Sequence, residues 1–120
     1  NMYKLKYKTH FQSAHHLLRY KGKCSRVHGH EWVVLFEIET EKLFRDMVID
    51  FTILKKIVDK IDHQDLNAIL KFNPTAENIA KYLHNEVKSW FFTKKMDVYN
   101  DIIIKVTVWE SPKSSITYYE

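Results

Sequence analysis

His28-Gly29-His30-Glu31-Trp32-Val33-Val34-Leu35-Phe36-Glu37-Ile38-Glu39-Thr40 is dense in β-branched and aromatic residues and reads as a strand. Upstream, residues 3–11 alternate. Tyr3, Leu5, Tyr7, Thr9 and Phe11 face one way, and Lys4, Lys6, Lys8 and His10 the other, the pattern of a half-buried strand. Residues 12–27 between the two are polar and basic, contain Gly22 and Cys24, and read as a long excursion. Downstream, Asp50 is placed to cap a helix over about residues 51–61, with Phe51, Leu54, Val58 and Ile61 on one side. The stretch from Asp62 to Asn67 ends it. A second helix is expected from Pro74-Thr75 to about residue 91, its stripe formed by Ala76, Ile79, Ala80, Leu83, Val87 and Trp90. Residues 93–100 read as a polar link, 101–109 as a strand rich in Ile and Val, and 114–119 as a short last strand.

The order is strand, strand, helix, helix, strand, strand. It predicts an α+β domain over residues 1–120, an antiparallel four-stranded sheet with two helices on one face. The other face also carries apolar residues, Val33, Leu35, Ile103 and Trp109, so self-association is expected.

Composition narrows the function. The chain of 120 residues is 45% hydrophobic and 28% charged, with two Gly and two Pro, which suits one compact domain without low-complexity segments. No apolar run approaches the roughly 18 residues of a membrane span, and no secretory leader is expected. The single cysteine, Cys24, excludes an intrachain disulfide and points to a reducing cytoplasmic setting. The net charge of +4 is spread out, and nothing beyond charge speaks for nucleic acid. A small polyanion needs only a few basic residues.

His28 and His30 leave the same strand face about 7 Å apart, with Gly29 between them leaving room for a ligand or backbone. His15 is placed to join them if the first two strands are neighbours. Three neutral imidazoles suit Zn2+ with a fourth place open. The same spacing serves equally a closed structural site with Cys24 as fourth ligand, in a non-catalytic oligomeric scaffold. Asp62-His63 at a helix end can form an orienting pair or a plain polar terminus. Glu110, ending an apolar strand face, needs a partner, either a ligand rich in N–H donors or a lysine.

Ordered blocks then carry a resemblance. They are Phe11-Gln12-Ser13-Ala14-His15-His16-Leu17, Cys24-Ser25-Arg26-Val27-His28-Gly29-His30, Met47-Val48-Ile49-Asp50-Phe51 with Leu54-Lys55, Ile61-Asp62-His63 with Leu66-Asn67, Pro74-Thr75-Ala76-Glu77-Asn78, and Val106-Thr107-Val108-Trp109-Glu110-Ser111. Together they resemble the 6-pyruvoyl-tetrahydropterin synthase and 6-carboxy-tetrahydropterin synthase family over nearly the whole chain. The resemblance implies the tunnelling fold (T-fold) and hexamers of two trimers with sites at subunit boundaries. It implies zinc on His15, His28 and His30, Cys24 as proton-abstracting base, and His63 with Asp62 as a relay from a neighbouring chain. Glu110 then anchors the pterin. The implied substrate is a pterin triphosphate, 7,8-dihydroneopterin triphosphate, with Lys23 and Arg26 as candidates for the triphosphate. The product is 6-carboxy-tetrahydropterin, with acetaldehyde released on the queuosine precursor path, or the 6-pyruvoyl compound. Glu31 departs from the small polar residue usual after His-Gly-His, and Trp109-Glu110-Ser111-Pro112 from a more usual Glu-Thr. The retained Cys24 argues against the branch that carries glutamate there.

Overall fold

The computed structural model describes residues 1–93 and 101–120. Its elements are β1 (Tyr3–His15), β2 (His28–Thr40), α1 (Phe51–Asp59), α2 (Leu66–Ile69), α3 (Ala76–Thr93), β3 (Ile103–Ser111) and β4 (Ser114–Tyr119). The four strands form one antiparallel sheet in the order β1-β2-β3-β4. Each strand is the sequence neighbour of the one it pairs with, apart from the helical excursion between β2 and β3.

The register between β1 and β2 runs unbroken from Tyr3↔Thr40 to His15↔His28. With a period of two, this puts Phe11, Trp32, Val34, Phe36 and Ile38 on one face, all fully buried. Phe11 and Trp32 are register partners whose rings stack at 5.6 Å. Ile104, Val106 and Val108 of β3 extend the face, and Leu54, Val58, Ile79, Leu83 and Val87 of the helices cover it. Each such side chain contributes about 1.5–3 kcal/mol by leaving water.

The first strand runs four residues past the alternation seen in the sequence. Its last two inward positions are polar, Ser13 and His15, so a hydrophobic pattern cannot reveal them. Both are buried, and both find partners: the Ser13 hydroxyl donates to the Ile61 carbonyl and His15 Nδ1 to Pro74 O. His15 is therefore the end of the ladder, directly opposite His28, and not just beyond it.

Asp50 caps α1 as expected, its Oδ1 accepting the Thr52 N–H at 2.9 Å. The helix closes at Asp59, two residues early. The Ile61 and Asp62 N–H groups reach back only three residues, to Val58 and Asp59, and His63 takes a positive φ of 55° that no helix continues. Ile57 joins Leu54, Val58 and Ile61 in the core, whereas Phe51 is 53% exposed and stacks on Tyr7. A short turn of helix, α2, falls where only a link was expected, its start capped by Asp65.

Thr75 Oγ1 accepts the Asn78 N–H at the start of α3, and Phe91 takes the buried place expected of Trp90. The polar link expected over 93–100 lies, from residue 94 on, outside the described residues; Thr93 itself closes α3. No described helix is long and apolar enough to cross a membrane. On the sheet face away from the helices Val33, Leu35 and Trp109 are half-buried and Ile103 is exposed. There Lys8 lies over the Trp109 ring at 5.3 Å.

Candidate metal centre

The ladder that ends at His15↔His28 brings three imidazoles to one end of the sheet. Ring centroids lie 4.5 Å apart for His15 and His28, 5.1 Å for His15 and His30, and 4.5 Å for His28 and His30. Trp32 stands edge-on beneath His15 and His30 and closes the cluster on the core side.

The outer nitrogens fix the rings. His15 Nδ1 lies 2.7 Å from Pro74 O, and His28 Nδ1 lies 2.7 Å from Arg26 O. A carbonyl only accepts, so each Nδ1 carries the proton and each Nε2 offers a lone pair. His15 Nε2 and His30 Nε2 are buried without a hydrogen-bond partner. Buried nitrogens without a partner are uncommon, and a cation bound between them would satisfy them. Burial, the largest influence, pulls the His30 pKa below its ordinary 6.5; Glu110 opposes this and His28 and His15 reinforce it. The shift favours the neutral imidazole, the form able to bind a metal.

Glu110 Oε1 sits 3.3 Å from His15 Nε2 and 3.0 Å from His30 Nε2. The ligand atoms of His15, His28, His30 and Glu110 all lie within 4.8 Å of one another, and the group could hold a metal ion. Cys24 stands outside that group, half-buried in a single 3₁₀ turn over Lys23–Ser25. The fourth member of the cluster is thus a carboxylate and not the thiol.

Asp62 and His63 form the other expected pair, with His63 Nδ1 2.9 Å from Asp62 Oδ1. Both are laced to β1: Gln12 N–H donates to Asp62 Oδ1 at 2.9 Å, and His63 N–H to Gln12 O at 2.6 Å. Burial raises the Asp62 pKa, but the Gln12 N–H and His63 together outweigh it and the carboxyl is held low. His63 lines a recess of about 480 Å³ with Gln12, Ser13, Gly29, His30 and Glu31 of its own chain. Its side chain is 77% exposed. A second recess of about 600 Å³ is lined by Lys8, Val33, Trp109 and Glu110 and shares Gly29, His30 and Glu31 with the first. A Cβ on Gly29 would meet nothing within 4 Å, so the chain's own packing does not demand glycine there.

Two asparagines not singled out as site residues in the sequence hold the loop that carries Cys24. Asn67 Oδ1 accepts the His16 N–H and Asn73 Oδ1 the Leu18 N–H, each at 2.8 Å, and the Leu17 N–H donates to Cys24 O at 2.7 Å. The neighbouring Pro74 O holds His15, so one turn sets both the ring and the loop. The block Pro74-Thr75-Ala76-Glu77-Asn78 was the available signal, but a backbone acceptor leaves no mark in side-chain chemistry.

The sequence profile of the 6-pyruvoyl tetrahydropterin synthase family matches residues 4–120. The chain belongs to this family. Among synthases of the family, the 6-carboxy-5,6,7,8-tetrahydropterin synthase of Haemophilus influenzae is 30% identical over an alignment of 150 positions, covering 99% of this chain and 100% of that protein. That of Synechocystis sp. is 32% identical over 120 positions, covering 91% and 87%. The solved 6-pyruvoyl tetrahydropterin synthase of Caenorhabditis elegans superposes with a TM-score of 0.77 at 28% identity, covering 100% of this chain and 96% of that one. The Plasmodium vivax synthase shares the fold at a TM-score of 0.73 and 21% identity. The strand–strand–helix–strand–strand arrangement is therefore the family's T-fold.

Proposed function

We propose that this chain is a zinc-dependent lyase that converts 7,8-dihydroneopterin triphosphate and one water to 6-carboxy-5,6,7,8-tetrahydropterin, acetaldehyde and triphosphate. The observation that carries the reading is the cluster of His15, His28 and His30, the first two oriented by carbonyls at Nδ1 and the third opening on two recesses. All-nitrogen neutral donors suit zinc. His15, His28 and His30 would hold the ion, which would supply Lewis acidity for a substrate whose carbon-bound hydrogen is to be removed.

The chain's own groups do the rest. Cys24 takes the carbon-bound proton, and Lys23 and Arg26 of the same loop hold the triphosphate. His63, oriented through Nδ1 by Asp62, shuttles protons at Nε2 during tautomerisation. Glu110 accepts the paired N–H donors of the pterin. Gly29 leaves the space between the two recesses clear for substrate. Residues 1–120 act as one domain, assembled as a hexamer of two trimers through the apolar outer sheet face. The enzyme works in the cytoplasm, on the path to queuosine.

The 6-carboxy product is favoured because relatives at 30% identity or above carry that name. The 6-pyruvoyl product is the second reading, supported by the likeness to the C. elegans synthase. Both begin with the same proton abstraction. Incubating the zinc-loaded protein with 7,8-dihydroneopterin triphosphate and assaying volatile aldehyde and pterins separates them. One acetaldehyde per 6-carboxy-tetrahydropterin is expected. Triphosphate release without acetaldehyde selects the 6-pyruvoyl reaction, and unchanged substrate refutes both.

A further inference from the structure

We infer that Glu110 supplies the fourth ligand to the metal when no pterin is bound. The inference rests on the three-histidine metal site proposed above and adds a role for a residue that the proposed reaction uses only for the pterin.

The backbone explains how a carboxylate arrives at the imidazoles. The last pair of the β2–β3 ladder is Val33↔Trp109, so Glu110 is next in line opposite Trp32. That puts it on the sheet face of Trp32, which by the two-residue period is also the face of His28 and His30, and through the β1 register of His15. On its other side the β3–β4 ladder slips register between Trp109 and Ser111. Irregularities of this kind re-aim a side chain at the rim of a sheet.

The contacts resemble ligation more than an ion pair. Glu110 Oε1 is 3.3 Å from His15 Nε2 and 3.0 Å from His30 Nε2, yet neither nitrogen makes a hydrogen bond. His15 Nδ1 already donates to Pro74 O, so the neutral ring has no hydrogen at Nε2 to give to the carboxylate. His15 Nε2 and Glu110 Oε1 are thus two lone-pair donors 3.3 Å apart, which is what two ligands of one ion present. Bonds of roughly 2.0–2.1 Å in a tetrahedron give an edge of about 3.3 Å. Among the described residues no lysine or arginine pairs with Glu110, so its charge has no other partner.

A carboxylate in the fourth place lowers the net charge of the centre from +2 to +1. It also makes metal ligation and pterin recognition compete for the same two oxygens.

The test is metal binding alone, on the full chain. Zinc affinity is measured by chelator competition, and the cobalt-substituted protein by its visible absorption, for the parent, Glu110→Gln and Glu110→Asp. Glu110→Gln is expected to keep one metal per chain, weaken zinc affinity about tenfold or more, and shift the cobalt bands. Glu110→Asp, which keeps the charge on a shorter arm, is expected to fall between and serves as the reading should the glutamine variant not fold. Affinity and cobalt spectra unchanged from the parent in either variant overturn the inference while leaving the three-histidine site standing. A parent chain that takes up no stoichiometric zinc overturns both.

Discussion

His28→Ala is expected to abolish stoichiometric metal binding while leaving the fold in place. His28 is the first residue of β2, half-buried, and contributes nothing to the hydrophobic core. Its ring is held by a single local hydrogen bond, to Arg26 O. Removing it should therefore cost the metal-free protein little. A zinc site is worth about 10–16 kcal/mol, and one of three imidazoles carries on the order of a third of that, so affinity should fall by about 300-fold to several thousandfold. Elemental analysis after dialysis, with circular dichroism as the control for folding, measures the outcome. One zinc per chain retained in the variant would refute the three-histidine site.

Cys24→Ala should have the opposite profile: metal and fold kept, turnover lost. The thiol stands outside the group of side chains that could hold a metal, and its loop is held by main-chain and asparagine contacts that alanine preserves. Removing a positioned proton acceptor costs about 10²–10⁴ in rate. The expected pattern is unchanged zinc content and kcat reduced by that factor. Loss of zinc together with the fold means that the thiol is structural and that its role as base is wrong.

Much of this arrangement was legible in the chain because it depends on periodicity. Strand β2 announces itself through Trp32, Val34, Phe36 and Ile38, and the same period of two places His28 and His30 side by side. The end of β1 was not legible, because Ser13 and His15 occupy inward positions as polar residues, satisfied only by carbonyls from residues 61 and 74. Tertiary hydrogen bonds of that range leave no local pattern. The early end of α1 has a similar cause: Ile61 continues the apolar stripe, but the backbone has already tightened to three-residue reach.

The candidate site divides along the same line. Its side-chain types were readable, and so was the need of Glu110 for a partner. That the partner would be the imidazoles themselves follows from the β2–β3 register that ends at Val33↔Trp109, a long-range pairing that composition does not encode. The positions of Asn67 and Asn73 under the Cys24 loop are likewise a product of how α2 and the turn before α3 dock on β1.

X-ray absorption at the zinc edge of the purified protein tests the central claim most directly. The expected spectrum has a shell of nitrogen and oxygen atoms alone at roughly 2.0–2.1 Å, with the outer scattering of three imidazole rings. A sulfur shell at roughly 2.3 Å, or fewer than three imidazoles, would contradict it.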